Sequence, residues 1–206
     1  MNGCEIMIIE FNLKSKNYFQ KIDSINLDKY TCPNSKCEAK SQFVRHDYYE
    51  RNNISVQNKK FNYSKIKILR VKCKSCGKTH AILPGDIIPY KQFNYFSFLE
   101  ILKSYFFDSK SIYELSNKFN VSFQVIYKFI NAFLIFKDSI FVTIKIMQII
   151  NKLFSKDPFS LLDFIVNKIG FFKFIKRFSF FNQWPFLMEK FRNNTSNHIS
   201  IGFFKT

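Results

Sequence analysis

Glycine is scarce, at five in 206 residues. A phosphate-cradling loop needs several glycines, because only a backbone free of Cβ atoms can wrap an anion closely. The sequence offers no such loop, and no serine–histidine–aspartate set for nucleophilic catalysis. Long apolar runs are missing as well. The nearest approach to one, 129–154, is broken by Lys137, Asp138, Lys145 and Lys152, charges that are costly in hydrocarbon. The apolar stretch 6–9 is four residues long and lies between Glu5 and Glu10, so it does not read as a secretory signal. These two absences predict a protein without a membrane span, located in the cytoplasm and, given its charge, associated with the nucleoid. Acidic residues are few, 15 against 32 Lys and Arg. There is no internal repeat and no low-complexity tract.

What is present is a chain able to bury a core: 47% of it is hydrophobic. Phenylalanine reaches 28 residues. Phe, Ile, Asn and Lys together dominate, a bias that an AT-rich genome produces, so aromatic richness alone carries no functional weight. The net charge of +17 is unevenly spread. Residues 1–30 are neutral, 31–92 carry +9, 93–137 carry +2 and 138–206 carry +6. A basic excess gathered in one region attracts polyanions, most often nucleic acid.

The periodicity predicts an α+β chain. Residues 1–29 form an N-terminal element, with Ile6, Ile8 and Phe11 suggesting a strand. Residues 30–92 read as a small β-rich module: strands over 43–50 and 66–72, the polar stretch 51–60 between them, and a short strand over 81–83 ended by Pro84 and Gly85. Pro89 precedes a change of period. Tyr95, Phe98, Leu99, Leu102, Tyr105 and Phe106 share one helix face. Residues 93–137 are read as a helix-turn-helix region. Residues 138–206 are read as a Phe-rich helical region interrupted by Pro158 and Pro185.

Cys32 and Cys37 are spaced C-x4-C, Cys73 and Cys76 C-x2-C, with 35 residues between the pairs. Two such turns can each aim two sulfurs at one point, as a tetrahedral structural zinc requires. Protein fills every coordination position, so the role is structural rather than catalytic. Two disulfides are disfavoured by a reducing compartment. An iron–sulfur cluster has the same ligand count and stays open. Lys36, Lys72, Lys74 and Lys78 flank the ligands and offset their negative charge. Gly77 supplies the positive φ that lets backbone N–H groups approach a thiolate. Cys4 reads as a small buried hydrophobe. His46 and His80 read as structural or DNA-facing, since four cysteines already complete the site.

Ser111-Ile112-Tyr113-Glu114 is a capping box. Asn120 tolerates the left-handed turn between two helices, and Ser122 caps the second of them. Leu115, Phe119, Val121, Ile126 and Phe129 occupy the apolar positions of a helix-turn-helix, with Ser116 at the helix crossing. The outward face of the second helix is Ser122, Phe123, Gln124, Tyr127, Lys128 and Asn131. Gln124 and Asn131 can pair with adenine, and Lys128 with guanine or phosphate. Arg45, Arg51, Lys59, Lys60, Lys65, Lys67 and Arg70 are the candidate phosphate contacts.

The run 70–84, RVKCKSCGKTHAILP, together with 45–51, RHDYYER, resembles a bacterial zinc-ribbon family of unknown function found in mobile-element-associated proteins. It is also similar to the N-terminal zinc ribbon plus helix-turn-helix of insertion-sequence transposases. The resemblance covers residues 30–135 and departs in the longer first cysteine turn and in Asp47, where the pattern has Gly. It implies DNA binding. Such transposases cut DNA with two Asp and one Glu on two metal ions. Here 69 residues follow Lys137, with Asp138, Asp157, Asp163 and Glu189 as their acids. A catalytic domain with its own core normally needs roughly 100 residues or more, and strand alternation is also missing, so no enzyme is expected. The reading is a non-catalytic DNA-binding protein of a mobile element, with DNA, a separate transposase or a second copy of itself as partners. A transcriptional regulator would use the same chemistry. An adaptor docking a transposase or polymerase is the alternative, on the strength of Phe123 and Tyr127. Membrane-surface attachment through Phe171, Phe172, Phe174, Phe178, Phe180 and Phe181 is weaker than core packing of the same rings.

Overall fold

The computed structural model describes residues 7–34, 36–37, 39, 42–147, 155–182 and 184–187. Cys4, Ile6, Glu189 and the helical pattern over 148–154 and 188–206 lie outside them. The fold is α+β: a four-stranded sheet followed by a group of helices.

The sheet has the order β1-β4-β3-β2. β1 (Met7–Glu10) runs parallel to β4 (Thr79–Pro84), while β2 (Phe43–Gln57) and β3 (Lys60–Cys73) form a long antiparallel hairpin. The polar stretch 51–60 is therefore not a loop. Its residues continue both strands, and the turn is reduced to Asn58 and Lys59, at φ 52° and 58°. Positive φ at both central residues matches the right-handed twist of the flanking strands. The pairing slips once, between Arg45 and Asp47, leaving His46 as the extra residue of a bulge.

A tyrosine hydroxyl divides β3 from β4. Their register runs Lys72↔Thr79, Val71↔His80, Arg70↔Ala81 and then stops. The next groups in line are the Leu69 N–H and the Ile82 carbonyl. Tyr18, on α1 (Ser15–Lys21), accepts from the former at 2.9 Å and donates to the latter at 2.7 Å. The strands splay there while their buried polar groups stay satisfied.

One core lies beneath this sheet: Ile8, Leu13, Tyr18, Ile22, Tyr30, Phe43, Ile68, Leu69, Val71, Ile82 and Leu83 are all buried. Glu10 faces the edge of this layer and accepts from Tyr30 at 2.5 Å and Lys29 at 2.7 Å. Gly85 marks the tightest backbone approach. A Cβ there would stand 2.6 Å from the Cα of Phe11. Gly85→Ala is expected to cost about 1–3 kcal/mol, the usual penalty of overpacking. Urea unfolding reads this directly, and an unchanged midpoint would mean the two segments can part freely.

The helices are α2 (Tyr95–Phe106), α3 (Ile112–Phe119), α4 (Phe123–Ile135), α5 (Lys137–Ile146), α6 (Pro158–Asp163) and α7 (Phe171–Asn182). Pro158 opens α6 instead of breaking a helix: it occupies the first turn, where its missing N–H costs nothing, behind Asp157 as cap. α6 runs on into a π-helical segment, Phe164–Ile169. In α2 the buried apolar set is Tyr95, Phe98, Ile101 and Leu102, while Leu99, Tyr105 and Phe106 are half-buried. α5, α6 and α7 share a single core with α2, α3 and α4. Phe171, Phe174 and Phe178 point into it, so packing accounts for these rings. Among the described residues, no helix is long and apolar enough to cross a membrane.

The hairpin tip joins the two halves. The Ile54 carbonyl accepts from Asn94 N and Ser97 Oγ, and the Phe61 ring stacks on Phe119 at 4.6 Å.

Candidate metal centre and helix-turn-helix

The four cysteines converge. Cys32 lies after Tyr30, Cys37 closes the loop that follows, Cys73 ends β3 and Cys76 lies in the turn to β4. The Cys37 N–H donates to the Asn34 carbonyl, and the Gly77 N–H, at φ 70°, to the Cys73 carbonyl. A 2.7 Å bond from Lys74 N to the Gln42 carbonyl pins the second turn to the strand that follows the first. Within the turns, the N–H of Asn34 points at the Cys32 sulfur, that of Ala39 at Cys37, and those of Ser75 and Cys76 at Cys73.

Cys32 and Cys76 sulfurs are 3.7 Å apart, as are those of Cys37 and Cys73. All four lie within 4.8 Å of one another. A tetrahedron with metal–sulfur bonds of about 2.3 Å has edges of about 3.8 Å, so the cluster has the size of a metal site. A disulfide would need about 2.05 Å, and all four cysteines are free. Burial pushes the Cys32 and Cys73 thiols up, and the Ala39 amide pulls Cys37 down, to about 7. Four neighbouring thiolates need a cation among them. The donor set fits a soft, tetrahedral, fully protein-bound ion with no position left for substrate.

His80 belongs to this centre. It is fully buried, its Nε2 lies 3.5 Å from the Cys32 sulfur, and its ring meets the edge of Phe43 at 5.6 Å. It is placed to orient a metal ligand from outside the ligand set, and it faces the core rather than the surface. The sequence alone does not assign it to the centre; its place four residues beyond Cys76, on the strand leaving the turn, is the signal that could have done so. His46 is exposed on the bulge. Lys36, Lys72, Lys74 and Lys78 are all exposed around the turns.

The seven basic residues proposed for phosphate divide in two. Three arginines serve the fold. Arg45 donates to the carbonyls of Ile22, Asp23 and Ile25, closing the end of the segment after α1. Arg51 donates to the carbonyls of Ile88 and Lys91. Arg70 binds Asp47 at 3.1 Å and Thr79 at 3.2 Å. Lys59, Lys60, Lys65 and Lys67 are exposed, with Lys65 3.5 Å from Glu50.

The helical pair α3–α4 is built as its residues dictate. Ser111 Oγ accepts from the Glu114 N–H, and the Glu114 carboxylate accepts from the Ser111 N–H at 2.8 Å. Lys110 and these donors hold the Glu114 carboxyl down, to about 2. Asn120 adopts φ 51°, and Ser116 Oγ donates to the Val121 carbonyl at 2.6 Å, locking the turn. Ser122 has the backbone conformation of a cap without a side-chain cap bond. Leu115, Phe119, Ile126 and Phe129 are buried, Val121 is half-buried, and α2 packs on both α3 and α4. Ser122, Phe123, Gln124, Tyr127, Lys128 and Asn131 are all exposed.

Residues 32–114 match the model of a family described as a domain of unknown function, DUF6431. The matched stretch begins at Cys32, the first cysteine of the cluster, and ends inside α3, before α4. Comparison with curated proteins gives no match, and comparison with solved structures gives none.

Proposed function

We propose that this chain is a non-catalytic DNA-binding protein in which a structural zinc ion holds the sheet and α4 enters the major groove. The observation that carries the reading is the surface of α4. Its outward residues include an amide pair and a lysine able to meet base edges, on a helix fixed by a locked left-handed turn. The hairpin tip adds Lys59 and Lys60 beside the α3–α4 turn, through the Phe61–Phe119 stack. Association with a mobile element, as a transposase accessory or a transposase-derived module, rests on the motif resemblance. A single ion such as zinc is favoured over an iron–sulfur cluster because the four sulfurs form one compact tetrahedron too small to enclose several irons. Metal analysis should find one zinc per chain and a colourless protein, where an iron site would absorb visible light.

Binding to duplex DNA should weaken with salt. Three phosphate contacts, from Lys59, Lys60 and Lys128, give a slope of log K against log salt of about −2.7. Fluorescence anisotropy at several salt concentrations measures it; a flat response would remove the phosphate contacts. Lys128→Ala with Asn131→Ala should lower duplex affinity at least tenfold.

A second reading, an adaptor that docks a transposase or polymerase, is favoured by one feature. Phe123, Tyr127 and Ile135 on α4 are 62%, 58% and 59% exposed. Under that reading the same double substitution leaves DNA retention intact.

A further inference from the structure

The splay between β3 and β4 opens a groove that the duplex-binding reading does not use. Beyond the Tyr18 hydroxyl the two strands diverge, and a cavity of about 550 Å³ lies among Tyr49, Arg51, Lys65, Leu83, Tyr90 and Lys91. A second cavity, of about 330 Å³, continues it toward the hairpin tip along Ile54, Tyr63 and Ser64. Asn52, Lys65 and Gln92 line both, so the two form one track.

The lining combines flat rings, cations and amides. Tyr63 and Tyr90 are 59% and 56% exposed, one lining each cavity. Tyr90 holds φ at 60°. A bulky residue in the left-handed region is strained, and such strain persists where the surrounding structure enforces it. Arg51 does so by gripping the carbonyls on either side, of Ile88 and Lys91. Lys65 and Lys91 are exposed cations along the track. The one acid, Glu50, pairs with Lys65 at 3.5 Å across an exposed contact, which is weak and easily exchanged for a phosphate.

We propose that this groove binds single-stranded nucleic acid, with bases stacking on Tyr63 and Tyr90, phosphates on Lys65 and Lys91, and the Asn52 and Gln92 amides at base edges. Stacking platforms set in a cationic channel are how sequence-tolerant single-strand binding is achieved. A recessed track between strands excludes a paired duplex, and the +9 charge of residues 31–92 selects a polyanion. The site is separate from α4, so the protein could hold a duplex and an unpaired strand together.

The test is anisotropy of labelled oligothymidylate and oligouridylate against the full chain, with a duplex of equal length alongside. Tyr63→Ala and Tyr90→Ala should each weaken single-strand binding about tenfold, while Tyr63→Trp keeps it and duplex binding is unchanged. Lys65→Ala should lower the salt slope by about one. Both tyrosines are exposed, and a thermal melt verifies that each variant is folded. A preference between the two oligomers tells whether the strand is DNA or RNA. Tyrosine variants binding like the parent would overturn the proposal. So would loss of single-strand binding only in Lys128→Ala with Asn131→Ala, or displacement of the oligomer by polyglutamate at equal charge concentration. Failure of duplex binding with the groove intact would instead count against α4.

Discussion

Removing the metal, by chelation or by Cys73→Ser, should unfold the cysteine end of the sheet while leaving the helices formed. A structural zinc contributes on the order of 10 kcal/mol to folding, and a whole domain is stable by about 5–15 kcal/mol. Besides the sulfurs, the turns around 32–37 and 73–76 are held among the described residues by backbone hydrogen bonds such as Lys74 N to the Gln42 carbonyl, which are worth far less than a metal ion. Their sulfurs are part of the core, and Lys36, Lys72, Lys74 and Lys78 around them are exposed and mutually repulsive. Eleven residue steps separate Phe43 from Ile54 on β2, roughly 36 Å of strand. The helical core at the far end is therefore buffered from the loss. Hydrogen exchange should show β4, β1 and the 32–37 turn losing protection, with the helical circular dichroism signal largely kept. A chelated protein with the protection pattern of the untreated one would show that the sulfurs are merely neighbours.

His80 allows a finer check on the same centre. Replacing it with Phe removes the Nε2 contact with the Cys32 sulfur but keeps a ring against Phe43. Loss of an outer-shell partner typically costs 10–100-fold in metal affinity, far less than loss of a ligand. A graded response, Cys73→Ser above His80→Phe, separates a metal centre from a packed cluster of thiols, in which the two substitutions would differ little.

Local chemistry was the part readable in advance. Cysteine spacing announced the cluster because two short turns are a property of adjacent residues. The capping box and Asn120 were readable for the same reason: both act within four residues. The hairpin was read too short, because residues 51–60 are polar and lack the alternation that a half-buried strand shows. Their partners across the pair, such as Ser64 and Lys65, are mostly polar too, and the apolar residues among them, Ile54 and Phe61, pack on the distant 92–97 segment and Phe119, partners that no local pattern shows. Arg45, Arg51 and Arg70 stand out as candidate phosphate contacts because charge is visible in a sequence, while the carbonyls that Arg45 and Arg51 bond, and the Asp47 carboxylate and Thr79 hydroxyl that Arg70 bonds, are not. The Tyr18 wedge was beyond reach for a stricter reason. It links positions 51 and 64 residues away, where no local pattern records the partnership.

Phe186→Ala should be the most damaging single change outside the cysteines. Phe186 is fully buried, with the rings of Tyr95, Phe98, Phe136, Phe171, Phe174 and Phe178 around it at 5.0–6.4 Å. The Tyr95 hydroxyl also donates to its carbonyl at 2.8 Å. Truncating a buried phenylalanine costs about 3–5 kcal/mol, since the cavity it leaves collapses only in part. In a chain of this size that lowers the melting temperature by roughly 10 °C. The single tryptophan, Trp184, lies two residues away and reports the transition by fluorescence. The six rings come from α2, the α4–α5 junction and α7, so Phe186, four residues beyond α7, closes the core on which α3 and α4 stand. Phe186→Leu, which refills most of the volume, should recover more than half of the loss. A melt of Phe186→Ala within 2 °C of the parent would mean that α7 and the segment after it are an appendage, and that α2, α3 and α4 stand without them.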